Sequence, residues 1–485
     1  MGLENKDKQP NDEALVLIDA DGPFVTPGIE SVLLLRDALW SGPLVIMMVF
    51  VGVFQTIRLR GIQFRYLPHA FRLLLGFKKA SHQRETRDHT KPKKQGDISS
   101  FQALMTALAG AIGTGNVTGI ATAITTGGLG ALFWMWVIAL FGMATAYSET
   151  LLAVKYREFN AEGAVSGGPM YTLKNGLKAK RLAWVFAFFG AIAAFGTGNL
   201  VQANSVADAV YAVHGVAPII TGIVLMITLG MVVLGGIKTI GRFAGVLVPF
   251  MALTYLLIGL IVIGIHIDKI GPAFMTIVES AFTGQAAVGG FLGSTIMAAV
   301  QQGVSKGVFS NEAGLGSLSI AAATAQVAEP AQQGFFAVTG VFISTMMVCT
   351  ITGLVLAVTG VLGVTTPAGD LITGSALALH AFASVYAPFQ YIVFIGLILF
   401  AFTTILAWAY YGEKCTEYLF GSRAAYVYRW IYTSVTLFGA ILELELVWGI
   451  TEIANGLMVI PNLISVLLLS RVVKQETTQY TKLLK

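Results

Sequence analysis

The stretch Ala109–Gly119 reads AGAIGTGNVTG and lies inside a segment otherwise apolar enough to cross a membrane. Four glycines and an asparagine in one turn-sized window interrupt a helix where hydrocarbon demands a continuous one. Peptide groups freed by such a break cost several kcal/mol each in lipid, so they must face protein, ions or a wet cavity. A second interruption is expected at Gly303–Gly316 (GVSKGVFSNEAGLG), inside another apolar segment. Two broken helices in corresponding positions of two halves point to the binding site of a secondary transporter.

Composition agrees with a polytopic membrane protein. The chain has 485 residues, of which 55% are hydrophobic and 12% charged, and its mean hydropathy is +0.74. Soluble domains carry roughly 25% charged residues. Cys349 lies in an apolar run and Cys415 near a helix end, which gives neither a disulfide nor a metal framework. The first thirty residues are acidic rather than basic and do not read as a secretory signal.

Apolar runs of about 20 residues give eleven spans, at 33–57, 98–125, 128–154, 183–213, 217–236, 243–266, 287–325 (broken), 334–362, 387–412, 425–443 and 446–470. The punctuated stretches 267–286 and 363–386 read as surface or re-entrant helices. Between spans 1 and 2 the chain holds eleven Lys or Arg, from Arg58 to Lys94. With an odd number of spans, this cluster and those at 155–181, 238–242, 414–429 and 471–485 fall on one face. That face then holds 26 of the 31 basic residues. The positive-inside rule makes it cytoplasmic, with the N-terminus outside and the C-terminus inside an inner membrane. The net charge of +5 is therefore a topology signal, and no nucleic-acid partner is implied. Tyr66–Phe77 (YLPHAFRLLLGF) reads either as an amphipathic helix on the inner surface or as a solvated linker.

Span 2 runs inside to outside and span 7 outside to inside, so spans 2–6 and 7–11 form two five-helix units of opposite orientation. The expected fold is all-α, a five-plus-five inverted repeat preceded by one extra helix. Its divisions are an external tail (1–32), the extra helix with its basic loop (33–97), the first repeat (98–266), the second repeat with surface helices (267–470) and a cytoplasmic tail (471–485).

A zwitterionic solute at the bilayer midplane needs partners for two charges. A broken helix supplies them without charged side chains: its second half presents free amides and a positive dipole to a carboxylate, and its first half presents carbonyls to a cation. In span 2, Ala109–Gly113 would expose carbonyls and Thr114, Gly115 and Asn116 would begin the outer half-helix. A Gly-rich helix-packing face is the alternative. In span 7, Ser310 or Asn311 is placed to cap the inner half-helix, and Asn311 can also offer its side-chain oxygen to an ammonium. Lys306 and Glu312 lie in or beside the break and are expected to pair with each other or with Glu149 as a cytoplasmic gate.

The runs SSFQALMTALAGAIGTGN (99–116), GGLGALFWMWVIALFG (127–142), VSGGPMYTL (165–173), GNLVQANS (198–205) and SNEAGLGS (310–317) together resemble the alanine or glycine:cation symporter family. The resemblance runs from about Asp97 to Arg471. It implies a sodium-driven importer of small neutral amino acids with the fold of the bacterial leucine transporter. It also implies that span 4 lines the substrate site through Gln202, with Asn204 beside it in an interhelical role. Two adjacent hydroxyls in the matching position of that fold bind sodium. Carried over, the sodium ligands are the Thr403 and Thr404 hydroxyls with the Ala109 and Ile112 carbonyls, and Trp408 walls a pocket sized for a methyl group or a hydrogen.

Sodium co-transport has an energetic rationale. A net-neutral amino acid gains nothing from the membrane potential. One co-transported cation contributes about 2.3 kcal/mol per 100 mV, and a tenfold gradient adds roughly 1.4 kcal/mol. Proton coupling within the same fold is the alternative, for which Asp208 is the one mid-helix candidate read from sequence. A passive channel and a membrane-embedded enzyme are the remaining classes. No clustered His/Asp/Cys set, G-x-S-x-G or Walker motif supports an enzyme, and no organic cofactor is expected.

Overall fold

In the computed structural model, residues 27–40, 42–76, 96–160, 163–283, 296–366, 369, 371–442 and 445–484 are described. Nearly everything is helical. A two-stranded antiparallel hairpin, Glu158–Phe159 with Val165–Ser166, follows span 3.

Eleven crossing segments are present among the described residues. Seven are long and apolar enough on their own: Ser31–Arg58, Gly130–Lys155, Lys180–His214, Gly236–Ile265, Pro330–Thr359, Phe389–Phe420 and Val447–Leu468. Four are not, each for a visible reason. Spans 2 and 7 are broken into Ser100–Ala111 with Thr118–Gly127 and Ile296–Asn311 with Ser317–Ala322. Span 5, Pro218–Val233, is short, and span 10, Ser422–Ile441, carries more polar residues. The protein is thus an all-α polytopic membrane protein of the five-plus-five inverted type, preceded by one extra helix.

Several boundaries differ from the sequence reading. Spans 5 and 6 are joined by a turn at Leu234–Gly235, so Lys238 and Arg242 lie in the first turns of span 6 rather than in a loop. Span 9 continues to Phe420 because its polar end is neutralised in place: Lys414 pairs with Glu417 at 2.6 Å, and Glu413 with Arg429 at 2.7 Å. Span 4 carries a widened turn at Gly196–Leu200.

The loop after span 1 folds as an amphipathic helix, Leu67–Leu75. His69 packs edge-on against Phe335 and Ala70 is fully buried, so this helix docks onto span 8. The later half of the basic loop and most of the N-terminal tail lie outside the described residues. The 267–286 and 363–386 stretches hold the short helices Ile270–Thr283 and Gly374–Ala383.

Candidate functional site

Ser99 starts span 2 with a capping box: its hydroxyl accepts from the Gln102 amide while Gln102 reaches back to the Ser99 amide. The helix ends at Ile112 (φ −91°, ψ 89°), and a single tight turn at Thr114–Asn116 follows. Among the described residues nothing donates to the Ile112 carbonyl. The Gly113 amide donates to Asn116 Oδ1 at 3.0 Å. Asn116 Nδ2 donates to Ser344 Oγ at 3.1 Å and reaches the Ser310 carbonyl at 3.4 Å. The Asn116 carbonyl accepts from Thr352 Oγ1 at 2.9 Å. Asn116, expected to meet substrate, therefore bolts span 2 to spans 7 and 8 with its side chain spent on the protein.

Span 7 breaks later than its sequence suggests. It stays helical to Asn311, and the chain then turns through left-handed Glu312 (φ 55°), Gly314 (φ 89°) and Gly316 (φ 84°). Gly303 and Gly307 do not interrupt the helix. A Cβ on Gly303 would stand 2.5 Å from the Ala131 carbonyl, and one on Gly307 would stand 2.7 Å from Ile138. These glycines let span 7 press against span 3, the small-residue packing of membrane helices. The cap of the second half-helix, Ser317–Ala322, is Gly316, not Ser310 or Asn311. Asn311 donates to Thr345 Oγ1 at 3.0 Å and accepts the Ala313 amide at 2.9 Å, which turns it away from the space between the breaks.

Between the breaks lies a small pocket. Gly110, Gly113 and Gly115 give it a backbone wall, and Thr197, Gln202, Phe309, Glu312, Thr404 and Trp408 supply the side chains. Thr404 Oγ1 lies 2.9 Å from the Ala109 carbonyl. Thr114 Oγ1 donates to Gln202 Oε1 at 2.9 Å, and Gln202 Nε2 donates to the Thr197 carbonyl at 3.2 Å. Glu312 is 1% exposed. Its oxygens accept from Trp408 Nε1 at 2.9 Å and Ser317 Oγ at 2.7 Å, and no Lys or Arg pairs with it among the described residues.

The remaining sequence candidates divide. Thr403 faces span 6: its hydroxyl bonds the Leu399 and Phe400 carbonyls at 3.0 and 3.1 Å and lies 3.7 Å from Met251 Sδ. The expected grouping of Thr403 with Ala109 and Ile112 is not formed, because adjacent helical residues point about 100° apart. Asn204 reaches the Leu442 carbonyl at 3.4 Å. Glu149 accepts Asn462 Nδ2 at 2.7 Å and the Gly314 amide at 3.4 Å, so it braces the break of span 7 from span 3. Lys306 pairs with neither Glu149 nor Glu312; it meets Glu452 at 3.2 Å. The expected three-residue gate is thus taken apart: Glu312 lines the cavity, Glu149 lies behind it, and Lys306 stands outside.

Lys306 belongs to a larger vestibule. Gly115 and Phe309 border both spaces and form the partition between them. On the face carrying the basic loops the start of span 2 is tied to the end of span 7. The Asp97 amide donates to the Thr324 carbonyl at 2.9 Å and the Gln326 amide to the Ile98 carbonyl at 2.9 Å. Arg157 adds bonds to the Ala323 and Ala325 carbonyls at 2.7 and 2.8 Å.

Thr197, Phe309 and Glu452 were not singled out from sequence. Thr197 is held by Asn455 Nδ2 at 2.8 Å in the widened turn of span 4. The Gly-Thr-Gly-Asn run there was the available signal.

The sequence profile of the sodium:alanine symporter family matches residues 28–485. The chain belongs to the sodium:alanine symporter family. This symporter-family chain is 49% identical over 451 residues to the sodium/alanine symporter AgcS of Methanococcus maripaludis, which covers 92% of this chain and 96% of that one. It is 34% identical to a probable sodium/glutamine symporter, GlnT, of Bacillus subtilis, over 92% of this chain and 89% of that one. Among solved structures it resembles MhsT in complex with L-phenylalanine (TM-score 0.55, 15% identity, 77% of this chain and 89% of that one). It also resembles a Na+-coupled sialic acid symporter in its substrate-bound outward-open state (TM-score 0.51, 12% identity, 84% and 82% covered). At those identities the structural likeness concerns the fold alone. The symporter family is one of multi-pass membrane transporters of amino acids coupled to sodium.

Proposed function

We propose that this symporter-family chain imports a small neutral amino acid, alanine or glycine, together with sodium, by alternating access across the inner membrane. The observation that carries the reading is the meeting of both helix breaks on one small cavity bounded by Trp408 and Phe309. The basic-loop face is cytoplasmic on the positive-inside rule, and the vestibule opens on the other side.

The substrate carboxylate takes the amides at the start of the outer half-helix of span 2, around Thr114 and Gly115, with Gln202 beside them. Its ammonium takes the Glu312 carboxylate, which is buried and, among the described residues, has no Lys or Arg paired with it. A buried carboxylate lacking a counter-charge is costly, and a substrate ammonium offsets that cost. Sodium takes Thr404 Oγ1 with the Ala109 and Ile112 carbonyls, an all-oxygen set suited to a hard cation. Trp408 and Phe309 bound the pocket, which favours a substrate with a small side chain. The M. maripaludis relative, named a sodium/alanine symporter, supports this choice of substrate.

Glu312 also gives proton coupling a specific footing, since an ionisable group in the cavity is what a proton-driven carrier uses. Asp208, the sequence candidate for that role, is exposed on span 4 and lines neither the cavity nor the vestibule. One experiment separates the readings. In proteoliposomes, labelled alanine uptake should follow an inward sodium gradient and fail with a pH gradient alone. Uptake driven by pH without sodium would establish proton coupling, and flux indifferent to both gradients would establish a channel.

A further inference from the structure

We propose that the elbow after span 1, residues 58–75, docks an anionic phospholipid, with Arg65 and Arg72 on its headgroup phosphate and Phe64 and Leu75 against its acyl chains. This surface lies apart from the central pocket, and its occupant does not depend on which solute is carried there.

The chain leaves span 1 by a sharp turn. Arg60 and Gly61 are both left-handed (φ 56° and 65°), and the Gly61 amide donates to the Thr56 carbonyl at 2.7 Å. The short helix Ile62–Arg65 follows, and then Leu67–Leu75. One side of this second helix is fixed against the protein. Ala70 is fully buried, His69 stands edge-on to Phe335, and Phe71 stands edge-on to Phe342 with ring centroids 5.5 Å apart. Pro68, Arg72 and Leu75 recur at steps of four and three, so they share the opposite, exposed side. Phe64 and Arg65 are exposed just before it.

Two properties of that outward face define what covers it. It is apolar where water would be a poor solvent: Leu75 is 82% and Phe64 53% exposed. It is also cationic without compensation. Among the described residues, Arg58, Arg60, Arg65 and Arg72 form no ion pair. Arg58 Nε is buried with no hydrogen-bond partner, and the Arg65 guanidinium has only the Tyr66 ring beneath it, 5.6 Å from the centroid. An acidic protein would meet the arginines and leave the apolar side chains in water. A phospholipid meets both, since guanidinium forks match phosphate oxygens and acyl chains lie directly beneath the headgroup. A choline headgroup would bring its own cation to the same arginines, so a net negative lipid is preferred.

Native mass spectrometry of the full-length protein in detergent tests this, with phosphatidylglycerol, phosphatidylcholine or inorganic phosphate added in turn. Each basic group at an anionic surface contributes about fivefold in affinity. Wild type is expected to retain phosphatidylglycerol over phosphatidylcholine, and excess phosphate should not displace it. Arg65→Gln with Arg72→Gln should weaken phosphatidylglycerol at least about tenfold, while Arg65→Lys with Arg72→Lys should keep most of the binding. Both side chains are exposed and unpaired, so the fold does not rest on them. Lys238→Gln with Arg423→Gln, an equal charge loss elsewhere on the basic-loop face, should change nothing. Hydrogen exchange gives the location: phosphatidylglycerol should protect residues 62–75 in wild type and not in the double glutamine variant. Equal retention of the two lipids by wild type, undiminished phosphatidylglycerol in the double glutamine variant, or an equal loss in the Lys238 and Arg423 control overturns the proposal. Displacement of the lipid by inorganic phosphate also overturns it, because the arginines would then hold a free anion.

Discussion

Thr404 Oγ1 sits 2.9 Å from the carbonyl of Ala109, so a hydroxyl of span 9 closes on the turn where span 2 stops being helical. Its neighbour Thr403 lies one helical step away and faces Met251. The pair forms an internal control. Thr404→Val removes an oxygen from the proposed sodium set, and a charge-assisted contact of this kind is worth about 1.5–3 kcal/mol. The sodium concentration for half-maximal uptake should rise at least about tenfold. Thr403→Val should leave it nearly unchanged, as read from sodium titrations of uptake.

The partition is a second place where one atom decides. A methyl group on Gly115 would come 2.6 Å from the Phe309 ring, whereas one on Gly119, a turn further on, meets nothing within 4 Å. Gly115→Ala must displace Phe309, and overpacking of this kind costs about 1–3 kcal/mol. Alanine uptake should fall about tenfold or more. Gly119→Ala should keep its uptake and gain slightly in thermal stability, because Ala is favoured in a helix. Parallel uptake and unfolding measurements check both.

The overall architecture was legible because hydropathy and basic-loop asymmetry are properties of whole segments, and eleven spans with a break in the second and seventh follow from them. The first break was legible to within a few residues: Gly113 and Gly115 lie in it, whereas Gly110 is still helical and the second half-helix begins at Thr118 rather than Thr114. The second was displaced by several residues. Gly303 and Gly307 carry the same one-letter signal as a break, yet they serve close packing on Ala131 and Ile138, which depends on a neighbouring helix that the sequence does not display. The same blindness explains Asn116, Asn311 and Lys306. Each was correctly marked as an unusual polar residue, but its partner (Ser344, Thr345 and Glu452 in turn) lies 34 or more positions away. Glu312 was taken for a gate because a charge beside a break has no direction until the left-handed turn at that residue aims it into the cavity.

Trp408 bounds the cavity and holds Glu312 through its indole N–H. Trp408→Ala should therefore do two things: weaken alanine, and admit neutral amino acids with larger side chains. Trp408→Phe should keep more of the size limit while losing the hydrogen bond. A competition panel against labelled alanine separates these effects. A variant with unchanged selectivity would remove Trp408 from the wall.

The helix Leu67–Leu75 supplies a pH dependence outside the spans. Burial holds the His69 imidazole below the ordinary histidine value, and Arg72 lowers it further. Its folded-state pKa is depressed, so its contribution to docking is complete above about pH 6.5 and is lost as pH falls through the lower, folded value. The protection of residues 67–75 against hydrogen exchange, measured relative to the intrinsic rate at each pH, should fall on acidification. His69→Gln should flatten that response.

Charge movement tests the central claim most directly. Alanine added to sodium-loaded buffer outside proteoliposomes should carry net positive charge inward, because the amino acid is neutral and its companion ion is not. The account predicts an alanine-evoked inward current that vanishes when sodium is replaced by choline and is strongly reduced in Thr404→Val. An undiminished current in choline, or alanine uptake with no current at all, would contradict it.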